Sequence, residues 1–329
     1  MNGISMLVRF SAGIALVRAD DLEPDDLIRR CEVALDTARR SSDQSVTLFD
    51  EEDALQIKRS VEIEVGIVNG LRQNEFRLLY QPKYNGQGEM VGVEALLRWT
   101  SEKLGVVAPA EFIEIAERAN LIRLLSDFVL DRACLQIRSW LNQFAYSPVV
   151  AINLSAADMT RDDLPELIHD RCAHYQIAPA LLEFEITETG LIANEEVAIT
   201  HLHALKNAGF AIAIDDFGTG YSSLSKLSQF PASSLKIDRT FVAQIGINPK
   251  SELIIKAIIS LANLLDCEII AEGVESQQQE AFLRQLGCDL YQGYYYNKPL
   301  EVAQLEALLL AIQQSMSQAK PLNLHLQIA

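Results

Sequence analysis

The chain has 329 residues, 49% of them hydrophobic and 22% charged, and its 28 lysines and arginines against 45 aspartates and glutamates give a net charge of −17. Such apolar content describes a folded protein rather than a disordered one, and the acidic balance excludes a duplex nucleic-acid binder, which needs a basic footprint to displace counterions. Five widely spaced cysteines without a C-x-x-C pattern exclude a disulfide framework, and no apolar run reaches the roughly 18 residues of a membrane span.

No signal peptide is visible, because the Met1 segment meets Arg9 early and lacks an apolar stretch. The expectation is a reduced, cytoplasmic protein, or the cytoplasmic part of a larger membrane-attached one.

In chain order, Ser11–Val17 reads as a short strand, Asp20 and Asp21 as a turn, and Pro24–Arg40 as an amphipathic helix with Leu27, Cys31, Ala34, Leu35 and Ala38 at helical spacing. Val46–Phe49 offers a second strand. Ile14, Leu16, Leu27, Leu35 and Phe49 are too few apolar residues for a core of their own. An amphipathic helix over about Asp53–Leu71 follows. Phe76–Tyr84 and Met90–Trp99 flank Asn85-Gly86, a strong hairpin signal. Helices near Pro109–Arg118 and Leu124–Asn142 come next.

Strand and helix then alternate: Val149–Leu154, Leu164–Tyr175, Leu181–Thr187, Glu195–Ala208 and Phe210–Asp215. A short helix at Ser222–Ser228 leads to strand Ser234–Asp238, helix Ser251–Leu265, strand Glu268–Glu272, helix Gln277–Leu286, strand Asp289–Gln292 and a helix from Val302. This rhythm predicts an α/β fold, a (β/α)8 TIM-like barrel, with a doubly wound open sheet as the alternative. The organisation expected is a small α+β N-terminal fragment over residues 1–52, a linker helix over 53–75, the barrel over 76–318 and a tail over 319–329.

Nearly every predicted strand ends in a polar residue: Glu94, Asn153, Glu185, Asp215-Asp216, Lys236, Glu272 and Gln292. In a barrel these ends open onto one face. Any one acid alone is more readily a helix cap or turn residue, but six or more in register are not. Carboxylates gathered there repel one another unless cations neutralise them. Oxygen donors without Cys or His suit Mg²⁺ or Mn²⁺, and this many acids suit two ions poised for phosphodiester hydrolysis. Ca²⁺, larger and looser in its coordination, is expected to inhibit turnover. Asp215 and Asp216 are neighbours and reach one site only if the chain turns, which Gly218 and Gly220 permit.

Gly218-Thr219-Gly220 is not a phosphate loop, since no Gly-Lys-Ser/Thr follows. His201 and His203 fall on different helix faces, His169 and His174 lack metal spacing, and no Gly-x-Ser-x-Gly elbow exists. Tyr294-Tyr295-Tyr296 is as readily rim packing as base stacking.

Glu94-Ala95-Leu96-Leu97-Arg98, Asn153-Leu154-Ser155, Glu185-Ile186-Thr187-Glu188, Asp215-Asp216-Phe217-Gly218-Thr219-Gly220-Tyr221-Ser222-Ser223-Leu224, Lys236-Ile237-Asp238, Glu272-Gly273-Val274-Glu275 and Gln292-Gly293-Tyr294 together resemble the EAL-domain cyclic di-GMP phosphodiesterases. The match covers about residues 60–318. The resemblance implies a modified barrel with one antiparallel strand and hydrolysis of cyclic di-GMP to linear pGpG by Mg²⁺ or Mn²⁺.

The resemblance also implies roles. Glu94, Asn153, Glu185, Asp215 and Glu272 would be metal ligands, Asp216 would serve a second ion, and Lys236 would orient or deprotonate the attacking water. Glu188 would brace the loop Phe217–Leu224, which in the family couples metal binding to dimerisation, so a homodimer is expected. Gln292 would hold a water, and Gln81, Arg98 and Glu275 would meet the substrate, Arg98 as a fork onto phosphate. The segments Ser11–Leu16 and Ala34–Arg39 resemble the C-terminal end of a GGDEF diguanylate cyclase domain without its signature loop, so no cyclase activity is expected. The runner-up function is a cyclic di-GMP receptor without turnover.

Overall fold

The computed structural model describes residues 10–17, 24–40, 46–188, 190, 195–218 and 229–318. The expected Asp20-Asp21 turn, the Ser222–Ser228 helix, Thr219 and Gly220, and the 319–329 tail lie outside the described residues. At the N-terminus, strands β1 (Ala12–Ile14) and β2 (Val46–Leu48) pair in parallel around helix α1 (Pro24–Arg40). This β-α-β unit buries Ala34 and Ala38 but leaves Ile14, Leu16 and Leu48 exposed at 45–64%. The apolar set expected there therefore makes no core of its own.

Helix α2 (Glu51–Arg72) starts where the Asp50 side chain accepts the Glu52 amide. It does not stand free as a spacer. Ile63 and Ile67 are buried with Phe76, Trp99, Val107 and Phe112 in a second apolar core. Two glycines set the approach: a Cβ on Gly70 would lie 2.9 Å from both Trp99 Nε1 and Glu75 Oε2, and one on Gly66 would lie 2.9 Å from the Trp99 ring.

The barrel begins with β3 (Phe76–Asn85) and β4 (Met90–Ser101), followed by β5 (Gly105–Val107), α3 (Pro109–Arg118) and α4 (Ile122–Phe144). It continues through β6 (Val149–Leu154), α5 (Ala156–Met159), α6 (Leu164–Tyr175), β7 (Leu182–Thr187), α7 (Glu195–Asn207) and β8 (Ala211–Phe217). Then come β9 (Ser234–Ile237), α8 (Arg239–Val242), α9 (Pro249–Leu264), β10 (Glu268–Ala271), α10 (Gln277–Gln285), β11 (Leu290–Tyr291) and α11 (Val302–Gln318). Sequence periodicity missed β5, α5 and α8, which are too short to show a period.

Strand order around the barrel is β3-β11-β10-β9-β8-β7-β6-β4, and pairing of β4 back to β3 closes it. That closure excludes the open sheet. The reversed strand is β3, antiparallel to both neighbours, while β5 pairs with β4 beyond the barrel. The β3–β4 turn is wider than Asn85-Gly86 suggested. Gly86–Glu89 form the loop, Asn85 Oδ1 accepts the Gln87 and Glu89 amides, and Gly88 carries the positive φ of 79°.

Outward strand positions such as Ile152, Phe184, Ile214, Leu235 and Ile269 pack against Trp140, Ile168, Leu202, Ile255 and Leu305 of the surrounding helices. The inward positions are different in kind. Lys83 of β3 reaches Glu183 and Glu185 of β7, strands that are not neighbours, so ion pairs cross the lumen. Barrels usually fill this space with branched aliphatic side chains.

Gly70→Ala tests the α2 docking. Helix propensity alone would make alanine stabilising by about 1 kcal/mol, whereas crowding Trp99 should cost about 1–3 kcal/mol. Urea unfolding should show a lower midpoint with an unchanged slope; a higher midpoint would mean that the Trp99 contact is slack.

Candidate active site

Lys236, on β9, has no exposed surface. Its Nζ lies 2.6 Å from Glu185 Oε2, 2.6 Å from Glu272 Oε1, 3.0 Å from Asp215 Oδ2 and 3.9 Å from Glu94 Oε2. Four carboxylates, on β4, β7 and β8 and just after β10, thus converge on one ammonium. Parallel in-register pairing makes this possible: Asn153 sits beside Glu185, and Thr187 beside Asp215.

Glu94 is a correction to the strand-end picture. It is the fifth residue of a twelve-residue strand, not the last. Parallel pairing with β6 stops at Glu94, and beyond it β4 runs on to pair with β5. The barrel rim, not the strand terminus, is what places Glu94. Its Oε1 accepts Asn153 Nδ2 at 2.9 Å and its Oε2 accepts Gln292 Nε2 at 2.6 Å. Gln292 Nε2 also lies 3.3 Å from Gln81 Oε1, and Gln81 Nε2 donates to the Asn297 carbonyl at 3.1 Å.

Asp215 and Asp216 reach the same site by a device the sequence reading gave to glycine. The β8–β9 register shifts between Ile214 and Phe217, and Asp216 itself takes the left-handed conformation, φ 52°. Aspartate tolerates that region better than most residues. One oxygen from each of Asp215, Asp216 and Glu272 falls within 4.8 Å of the others. These are hard donors at a spacing one divalent cation could bridge. Gln292, whose Nε2 donates to Glu94, keeps a buried Oε1 with no hydrogen-bond partner among the described residues, a further acceptor on the Glu94 side of the cluster.

The remaining expected residues are less tightly joined. Glu188 is buried just after β7, and its Oε2 accepts the Gly218 amide at 3.3 Å; the rest of the loop to Leu224 lies outside the described residues. Arg98 is half-buried, donates to the Leu97 carbonyl at 2.9 Å, and borders a cavity of about 510 Å³ lined also by Asn153, Ser155 and Thr187. Glu275 is exposed on the lead into α10, and among the described residues no hydrogen bond or ion pair joins its side chain to the cluster. Tyr296 stacks on Tyr84, so that ring of the tyrosine run packs the rim, while Tyr294 is 56% exposed.

Two residues were missed. Lys83 Nζ lies 2.5 Å from Glu183 Oε1 and 2.7 Å from Glu185 Oε1, below the cluster. Strand alternation could have found them, since Gln81 and Lys83 share a face, as do Glu183 and Glu185.

Burial alone would raise Glu185, but Lys236 and Lys83 outweigh it and hold the carboxyl down at about 2. Burial pushes Glu272 up to about 8; Lys236 opposes this, and Asp215, Glu94 and Glu185 add to it. Burial, Asp215 and a hydrogen bond with Asp238 lift Asp216 to about 6. Burial would lower Lys236, yet the surrounding carboxylates raise it well above the ordinary lysine value. Lys236 is therefore an ammonium at neutral pH.

The EAL domain family profile matches residues 65–299. Among curated proteins, the chain is 34% identical over 303 residues to the bifunctional diguanylate cyclase/cyclic di-GMP phosphodiesterase MucR of Pseudomonas aeruginosa, covering 91% of this chain and 44% of that protein. It is 34% identical over 313 residues to the cyclic di-GMP phosphodiesterase NbdA of the same organism, covering 94% and 40%. The chain thus spans well under half the length of these relatives. A solved structure described as the PaMucR phosphodiesterase in complex with c-di-GMP superposes with a TM-score of 0.71 at 37% identity, over 74% of this chain and 99% of that one.

The raised carboxyls give a pH dependence. A group whose folded pKa is raised contributes stability below its unfolded pKa and loses it as pH rises through the folded value. For Asp216 and Glu272 that window runs from about pH 4 to about pH 8. Glu185, depressed to about 2, acts only below its unfolded value. Metal-free protein should melt at progressively lower temperature from pH 5 to pH 9 in EDTA, and Mg²⁺ should raise Tm most at the alkaline end. A melting temperature that climbs over this range without metal would contradict the assignment of these two carboxyls.

Proposed function

The chain belongs to the EAL-domain family, and we propose that it hydrolyses cyclic di-GMP to linear pGpG at the lysine-centred carboxylate cluster. The observation that carries this reading is the convergence of Asp215, Asp216 and Glu272 within 4.8 Å. Two Mg²⁺ or Mn²⁺ ions bound there would neutralise the acids, lower the pKa of water and offset charge developing on the phosphate.

The chain's own residues divide the remaining work. Glu94, Asn153, Glu185, Asp215, Asp216 and Glu272 offer the oxygens that hold the ions. Lys236, held as an ammonium, donates rather than accepts: it orients the attacking water and screens the incoming dianion from the carboxylates. Orientation suits the ammonium of the metal-free cluster, and deprotonation of the water is the other role the family resemblance implies once cations neutralise the surrounding carboxylates. Gln292 Oε1 accepts a hydrogen bond from water. Arg98 forks onto a phosphate oxygen at the mouth of its cavity, and Gln81 and Glu275 contact the nucleotide. Water adds to one phosphorus, the bond to a ribose 3′ oxygen breaks, and a linear dinucleotide with a 5′ phosphate leaves.

Glu188, through the Gly218 amide, braces the start of the loop that joins the site to a homodimer contact. The β-α-β unit at the N-terminus is read as the C-terminal end of a GGDEF domain. Intact acids favour hydrolysis over a receptor role.

Purified protein with Mg²⁺ or Mn²⁺ should convert cyclic di-GMP to pGpG, EDTA should abolish the reaction, and Ca²⁺ should support binding without turnover. Nucleotide binding with no product in either active metal would instead identify a receptor. Glu94→Ala, Asp216→Asn and Lys236→Ala should each lower kcat by about 10² or more. Removing residues 1–50 should leave turnover largely in place; if turnover vanishes at unchanged oligomeric state, those residues are part of the catalytic domain.

A further inference from the structure

We propose that Lys83 is a positioning residue that sets metal preference: from beneath the site it holds Glu185 Oε1, so that Glu185 offers only Oε2 to a divalent ion. The inference rests on the phosphodiesterase reading and extends it to a residue in the lumen.

Reversal of β3 explains how a lysine comes to be there. Gln81 pairs with Glu94 at the rim, and two residues further along the reversed strand Lys83 pairs with Gly92, one layer deeper. Its side chain is 4% exposed and spans the lumen to β7, with Nζ at 2.5 Å from Glu183 Oε1 and 2.7 Å from Glu185 Oε1. Glu185, with no exposed surface, then has each oxygen on a different ammonium: Oε1 on Lys83 and Oε2 on Lys236 at 2.6 Å. The two lysines are not equivalent. Lys236 is shared among four carboxylates at the open end, whereas among the described residues Lys83 pairs with the two acids of β7 alone.

Stability does not account for this floor. A barrel layer filled with branched aliphatic residues packs without any desolvated charge, and a buried ion pair is seldom more stabilising than an apolar replacement. Its consequence for coordination does account for it. Oε1 is held by Lys83 on the floor, whereas Oε2 faces the open end on a lysine shared with three other carboxylates and keeps a second lone pair for a cation. Mg²⁺ demands tight octahedral geometry and takes carboxylates in that one-oxygen mode, while Ca²⁺ accepts both oxygens in a looser shell. Lys83 therefore biases Glu185 towards the smaller ions.

The test is the double variant Lys83→Met with Glu183→Gln, which removes one positive and one negative charge and leaves the lumen's net charge unchanged. Mg²⁺ and Ca²⁺ affinities are measured by calorimetry on nucleotide-free protein. Mg²⁺ affinity should fall by about tenfold or more, the usual effect of removing an outer partner of a ligand, while Ca²⁺ affinity holds or rises. Proportional weakening of both ions would mean a structural role only, and unchanged affinities would mean none; either overturns the proposal. Wild-type protein that binds neither ion would overturn the catalytic reading along with it.

A second measurement needs no variant and covers the case of a double variant that does not fold. In wild-type protein the Lys83 ammonium should remain visible by ¹⁵N NMR, in slow hydrogen exchange, when Mg²⁺ is added. Loss of that signal on metal addition would show that Lys83 releases Glu185, and would overturn the proposal.

Discussion

One buried ammonium, Lys236, organises this molecule. Four carboxylates stand within 4 Å of it at the rim of the barrel, and all are largely withdrawn from solvent. Each desolvated charge carries a penalty of several kcal/mol, so without a cation these carboxyls would take up protons rather than stay ionised together. The lysine lets several of the acids stay ionised in the metal-free site. It also leaves the site under tension: Glu185 is driven fully ionised by its two lysines, while burial, against Lys236 and with the other acids, pushes Glu272 towards its neutral form. A site with one carboxylate partly protonated and one amide oxygen unpartnered is poised to take up positive charge.

The reversed strand is the second constraint. A barrel of eight parallel strands would present the C-terminal end of its first strand to the site. With β3 antiparallel, Gln81 lies at the rim and the following inward residue, Lys83, lies below it rather than above. The floor of the cluster is therefore ionic, and the ladder Glu183–Lys83–Glu185–Lys236 runs up the barrel axis. Beyond the rim the same hairpin continues outward and, with β5, α2 and α3, forms the second apolar core around Trp99. One hairpin thus serves both the active end of the barrel and the seat of the entering helix.

Local sequence carried a good deal. Strand and helix alternation, the hairpin between Phe76 and Trp99, and the polar residue near each strand end were legible because side-chain period and turn chemistry are local properties. The family motifs pointed to a barrel with one reversed strand, and to the residues that converge on Lys236. Chain closure between β3 and β4, which excluded the open sheet, is a long-range pairing visible only in the fold.

What tertiary structure alone decided has a common cause: each case depends on neighbours distant in sequence. Glu94 is at the rim because β6 stops pairing beside it, not because its own strand ends. Asp216 joins Asp215 through its own left-handed backbone and a shifted register with β9, where the sequence offered glycines as the hinge. Strand alternation puts Lys83 and Glu183 on the faces of Gln81 and Glu185, but their pairing across the lumen at 2.5–2.7 Å comes from strands distant in sequence. Lys236 reads in sequence as a lone cation at a strand end; its complete burial among four carboxylates, which raises it above the ordinary lysine value, comes from strands distant in sequence. Residue type and periodicity are written along the chain. Charge state and coordination geometry arise only where separate strands meet, because both depend on the distances between them.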